Sequence, residues 1–161
     1  MNIDELIEKI RNTPDCVVYP AKGLPKFENK SHRLSEDLKE FYSICGGISL
    51  FISKEYSIKI VAPSEFVLAN PIIIGELCEE DITSEWYIVA DDENGNYLTI
   101  DLSPHRLGRC YDSLWDRHGL VGECPIIAKS FTQLLENLFY NQGEYWYWYK
   151  KDFVSLGDAY D

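Results

Sequence analysis

The groups in this chain that could do chemistry are three histidines, five cysteines and 27 side-chain carboxylates. His105 and His118 flank a strand candidate, with Asp101, Asp112 and Asp116 close by in sequence. That composition would suit a metal site or acid–base catalysis. The spacing argues otherwise: structural and catalytic metal sites draw on close-set pairs of ligands, and no such pair occurs. Solvated or hydrogen-bonded histidines are the simpler reading. Cys16, Cys45, Cys78, Cys110 and Cys124 are isolated and odd in number, which speaks against a disulfide framework or a zinc knuckle. They read as small buried hydrophobes in a reduced cytoplasmic protein. No phosphate loop, nucleophile elbow or paired-histidine helix is present. Placing Gly95 at the glycine of a calcium loop puts Asp92, Asn94 and Asp101 on ligand positions. It also puts Ala90 at the first ligand and strands where helices should be. No catalytic residue, metal or cofactor is therefore expected.

The carboxylates are distributed unevenly. Between Ile60 and His105 there are ten, with no lysine or arginine among them. The formal net charge of the whole chain is -12. Glu79-Glu80-Asp81 reads as a solvated loop before it reads as a general acid–base pair. Asp91-Asp92-Glu93 adds a second acidic block. A one-sign surface of this kind repels nucleic acid and anionic membrane and attracts basic proteins. Its plain alternative is a device for solubility.

These groups must be positioned by a chain of 161 residues, a length suited to one domain. Apolar residues make up 45% and aromatics 14%, enough for a sizeable core. No apolar run follows a basic start and no apolar run is long enough to span a bilayer, so neither a signal peptide nor a membrane span is expected. Ile3, Leu6, Ile7 and Ile10 fall at helical spacing behind an Asn2/Glu5 capping box. A second helix starts at Ser35, buries Leu34, Leu38, Phe41, Tyr42 and Cys45, and stops at Gly46-Gly47. A third starts at Ser130, with Gln133 completing the box, and ends near Asn141 to Gly143. The region between has strand-like period, with candidates at Ile48–Ile52, Ser57–Val61, Phe66–Leu68, Trp86–Ala90, Tyr97–Leu102 and Gly108–Tyr111. Ile72-Ile73-Ile74 is a further β-prone run. Asn94-Gly95 marks a tight antiparallel hairpin between Trp86–Ala90 and Tyr97–Leu102. Helices, then a meander, then a helix predict an α+β fold. The run Tyr145-Trp146-Tyr147-Trp148-Tyr149 either packs on the core or, if extended, offers Trp146 and Trp148 to a partner.

Three blocks carry a resemblance. They are Leu34-Ser35-Glu36-Asp37-Leu38-Lys39-Glu40-Phe41-Tyr42-Ser43-Ile44-Cys45-Gly46-Gly47; the segment from Ile88 to Leu102 with Gly108 and Tyr111; and Ile127-Ala128-Lys129-Ser130-Phe131 with Leu134-Leu135. In this order the chain resembles the SUKH superfamily, which contains yeast cell-wall-synthesis regulators of the Smi–Knr type and many bacterial immunity proteins. The resemblance covers roughly Leu34 to Phe139 and leaves an aromatic tail, residues 144–161, outside it. It implies a single α+β domain over 1–161, a mainly antiparallel or mixed sheet with helices mostly on one face, and a non-enzymatic role. The partner it implies is a toxin, many such toxins being nucleases. Combined with the charge, the expected mechanism is occlusion of a basic toxin by Glu79, Glu80, Asp81, Asp91, Asp92 and Glu93, with Trp146 and Trp148 as anchors. The alternatives are a regulatory scaffold with a cellular partner and a hydrolase using the His105–His118 region.

Overall fold

The computed structural model describes residues 1–161. Three of its helices form where caps and apolar spacing call for them. Helix α1 (Ile3–Arg11) buries Ile3, Leu6, Ile7 and Ile10, and Asn2 Oδ1 accepts from Glu5 N at 2.8 Å. Helix α2 (Glu36–Ile44) follows Ser35, but the Ser35 hydroxyl does not cap it. Asp37 does more of that work. Its Oδ1 accepts from Leu38 N at 3.0 Å and from Ser35 Oγ at 2.7 Å, and its Oδ2 accepts from the Thr132 amide at 2.8 Å and the Thr132 hydroxyl at 2.9 Å. One carboxylate thus ties α2 to the start of the last long helix, residues Phe131–Asn141. There Ser130 Oγ accepts from Gln133 N while Gln133 Oε1 accepts from Lys129 N, and Gln142 closes the helix in the left-handed region.

The sequence reading expects Gly46-Gly47 to stop α2, but the pair lies within the strand that follows it. The helix ends at Ile44 and the chain enters strand β2 (Cys45–Leu50) at the next residue. A Cβ on Gly46 would sit 2.3 Å from the Pro20 carbonyl oxygen, and one on Gly47 would sit 2.7 Å from that of Ile60. Gly47 also holds φ +117, where side-chain-bearing residues are strained. The glycine pair is needed for the close approach of the backbone on both sides of β2.

The sheet has seven strands in sequence order, every neighbouring pair antiparallel. Its other strands are β1 (Val17–Pro20), β3 (Ile58–Ile60), β4 (Trp86–Asp91), β5 (Tyr97–Asp101), β6 (Cys110–Ser113) and β7 (Ile126–Ala128). β1 and β7 were not foreseen, being short and without alternation. Phe66–Leu68 is not a strand, although Leu68 bridges Tyr87 and Ile88 N donates to Val67 O at 2.9 Å. The isoleucine run is not a strand either. Ile72 and Ile73 close a short helix α3 (Ala69–Ile73), where Pro71 is tolerated because it lies in the first turn. The Phe131–Asn141 helix is accordingly α4.

Side chains alternate across the sheet. Tyr87, Ile100, Cys110 and Ile127 face the main core with α1, α2 and α4. Trp86, Tyr111 and Ile126 face the other way and join Cys124 and Ala159 in a second, smaller cluster. That second face is closed by the loop after β6 and the C-terminal tail, while Ala69 and Ile73 of α3 join the main core and only Asn70 of that helix bonds to His118. The tail runs beside the start of β7: Ile126 N donates to Gly157 O and Ala159 N to Cys124 O, both at 2.9 Å. Asp158 accepts from the amides of Gly122 and Cys124. No helix is long and apolar enough to cross a membrane.

Candidate binding surface

The structure separates the two acidic blocks that the sequence places on one segment. Glu79, Glu80 and Asp81 lead into the beginning of β4, and Asp91, Asp92 and Glu93 lie at its end. A strand of that length sets them about 17 Å apart.

At the hairpin tip the acids are structural. Asp91 Oδ1 accepts from Glu93 N at 2.7 Å. Asp92 Oδ1 accepts from Asn94 N at 2.8 Å and Asn96 N at 3.1 Å, and its Oδ2 accepts from the Asn96 side chain at 3.0 Å. The turn is therefore a wider loop than the two-residue type foreseen, with positive φ at Glu93 and Gly95 and not at Asn94. Glu93 pairs with Lys59 at 3.2 Å, and the same ammonium reaches Glu65 at 3.4 Å.

At the other end of β4 the charge is free. Glu76, Glu79 and Glu80 are exposed and engage no hydrogen-bond or ion-pair partner. Leu77 and Glu79 line a cleft of about 600 Å³ shared with Glu28, Glu85 and His32. His32 Nδ1 lies 2.6 Å from the Tyr87 hydroxyl, and its Nε2 faces Glu85 at 3.8 Å. Asp81 differs from its two neighbours. It accepts from Thr83 Oγ1 at 2.6 Å and from Tyr160 OH at 3.1 Å. These bonds outweigh its partial burial and hold its pKa below the usual carboxylate value.

Asp81 ends a buried chain of hydrogen bonds that the sequence does not announce. His118 is buried, its Nε2 2.6 Å from Asn70 Oδ1 and its Nδ1 3.0 Å from Ser113 Oγ. The amide oxygen can only accept, so Nε2 carries the proton and Nδ1 accepts from Ser113. Thr99 then donates to Ser113, Asn70 Nδ2 donates to Thr83 Oγ1 at 2.8 Å, and Thr83 donates to Asp81. Every member has one consistent role while His118 is neutral. Burial pushes the imidazole down to about 4, opposed only by the distant Asp81 charge. Both ring nitrogens are engaged, and His105 is exposed on another loop. No group of three or more His, Cys, Asp or Glu side chains is placed to hold a metal.

Trp146 and Trp148 are buried and stacked on each other, centroids 5.4 Å apart. The aromatic run is not extended. It turns through a short 3-10 helix, Tyr147–Tyr149, so the alternation assumed for an exposed edge does not arise. Trp148 Nε1 donates to Asp112 at 2.9 Å, and Tyr149 OH and Arg117 close on the same carboxylate. These indoles hold the tail to the sheet instead of standing at the surface.

The exposed apolar residues lie elsewhere. Ile72, Ile74 and Leu77 stand about half exposed on and after α3, as does Leu120 on the loop after β6, where Val121 is still more exposed. The two groups meet where Ile74 Cδ1 comes within 3.7 Å of the Cβ position of Gly119. Trp115, 72% exposed, lies on the same loop, its amide directed at Asn96 Oδ1. Sequence reading missed this group because α3 was read as β-prone and the loop had no periodicity.

Two comparisons with known proteins bear on the chain. The family described as SMI1 / KNR4 family (SUKH-1) matches residues 24–137. A protein of Bacillus subtilis (strain 168) named "Immunity protein YokJ" is 58% identical over 161 residues, which is 100% of this chain and 97% of that protein. No solved structure matches.

Proposed function

Because the chain belongs to the SMI1 / KNR4 family (SUKH-1), we propose that it is an immunity protein, a non-enzymatic binder that neutralises a protein toxin in the cytoplasm of the cell that makes it. The observation that carries this reading is identity at 58% of positions, along the full chain, with a protein named for immunity. The physical character of the molecule supports it. A net charge of -12 and a block of unpaired glutamates favour fast encounter with a basic partner. A toxin acting on nucleic acid has such a surface, since its active site must attract phosphate. Occlusion then needs only that this chain cover that surface more tightly than the substrate binds. The acidic residues Glu79 and Glu80 are the available electrostatic contacts. Asp81, Asp91, Asp92 and Glu93 contribute field, though their oxygens are already engaged within the chain.

The test is co-expression with the protein encoded directly upstream of this chain's gene, in a host lacking both. Growth should be restored by this chain, with a stoichiometric complex on co-purification. A nuclease partner should leave nucleic acid degraded in unprotected cells and intact in protected ones. Arrest that this chain cannot relieve, or no complex between the purified proteins, would sink the immunity reading.

A further inference from the structure

Resting on the immunity reading, we infer that the partner docks on the face made by α3 and the loop after β6, through an apolar centre of Ile72, Ile74, Leu77 and Leu120 rimmed by Glu76, Glu79 and Glu80. The surface it fits is an apolar projection ringed by lysine or arginine.

Three observations converge on this face. First, its apolar residues are about half exposed, and the two segments that carry them touch where Ile74 meets Gly119. Second, its charge is uncompensated. The glutamates have no ion-pair or hydrogen-bond partner, and Arg117 on the loop after β6 is drawn inward by Asp112 and lies over the Tyr149 ring at 5.0 Å. Charge of one sign around an apolar centre selects the complementary arrangement on a partner and rejects acidic surfaces. Third, the face is fixed before binding. Asn70 on α3 donates to Leu77 O at 3.1 Å and to Thr83, while its oxygen takes the His118 proton. Tyr160 OH donates toward both Asp81 and Gly119 O at 3.1 Å. Short irregular segments are thereby held in one arrangement, so binding would not have to order them. The hairpin tip lacks the free charge: its acids are occupied and its charge is shared with Lys59.

The test uses two probes. In the first, the isotopically labelled protein is titrated with a synthetic amphipathic helix of leucine and lysine. The largest amide shifts should fall in residues 70–81 and 115–121 and vanish in the Ile74→Glu, Leu120→Glu double variant. Shifts centred on the Asp91–Glu93 tip would overturn the assignment. In the second, the double variant is compared with the parent in the growth assay and in affinity for the upstream-encoded protein. Loss of protection and about 100-fold or more weaker binding are expected, as for a truncated hot spot. Val154→Glu, at an even more exposed apolar position on the tail, should bind as the parent does. The thermal midpoint of each variant checks that folding is retained. If the peptide maps to this face but the parent protects no cell, the face stands and immunity falls. If the parent and the double variant protect equally, immunity stands and the face falls.

Discussion

The two acidic ends of β4 look alike in one dimension and behave oppositely in three. At the hairpin tip, aspartates dominate, and a carboxylate one methylene from the backbone can reach the amides two residues on. Asp91 and Asp92 each do this once, and Asp92 also accepts from the Asn96 amide and side chain, which holds the loop in shape. In the segment from Glu76 to Glu80 the acids are glutamates. Their longer side chains find no nearby amide and stay in water, and the loop is built instead from Asn70, Thr83 and His118. The lone aspartate there, Asp81, again turns inward. A carboxylate's length and neighbours thus decide whether its charge serves the fold or stays free for a partner.

The contrast can be broken in several places. The largest expected effect is through His118. Its pKa falls from an ordinary 6.5 to about 4 on folding, so the unfolded chain binds the proton more tightly. Stability should be unaffected above pH 6.5 and fall progressively toward pH 4, by about 3 kcal/mol at the limit. Denaturation of the parent and His118→Gln at pH 7, 5.5 and 4 measures this. An identical pH dependence in both would remove His118 from the support of the glutamate face. Next, Asp92→Ala at the tip should cost about 1–3 kcal/mol, because three donors lose their acceptor. Asp92→Asn should cost less, since one oxygen can still serve Asn94 and Asn96. Gly95→Val should destabilise by about 1 kcal/mol or more through backbone strain alone, as a Cβ there meets nothing within 4 Å. The smallest stability effect belongs to Glu76→Gln, Glu79→Gln and Glu80→Gln together. The stability of this triple variant should change by less than about 0.5 kcal/mol. Its association with a confirmed partner should slow several-fold and lose much of its salt dependence. A large loss of stability in this triple variant would erase the distinction between the two ends.

Legibility in the sequence followed the range of the interaction. Helices α1, α2 and α4 and the β4–β5 pairing were readable because caps, apolar spacing and Gly95 act within a few residues. The order of the elements already carries the α+β class, and the resemblance adds helices mostly on one face. What failed was set by distant partners. Ile72–Ile74 has β-branched side chains, yet Pro71 in the first turn and Asn70 bonded to His118, 48 residues away, make α3. Gly46-Gly47 reads locally as a helix stop, but Pro20 and Ile60 decide its role. Trp148 finds Asp112 across 36 residues, which no pattern along the chain encodes. The free glutamates were visible as charge. Which of the ten acids stayed free was not.

The C-terminal tail has a consequence for association. An open meander has two edges, and a bare edge is a template for another chain. β1 defends its own with Pro20 and a break in register between Val18 and Pro20. β7 is three residues long and apolar, with a break in register of its own against β6, and what shields its start is the stretch around Gly157 to Ala159. Removing residues 150–161 would take little from the main core while baring both that edge and the cluster around Trp86. The truncated chain should then assemble edge to edge and precipitate at concentrations the parent tolerates. The terminal residues thus serve as the molecule's guard against its own copies.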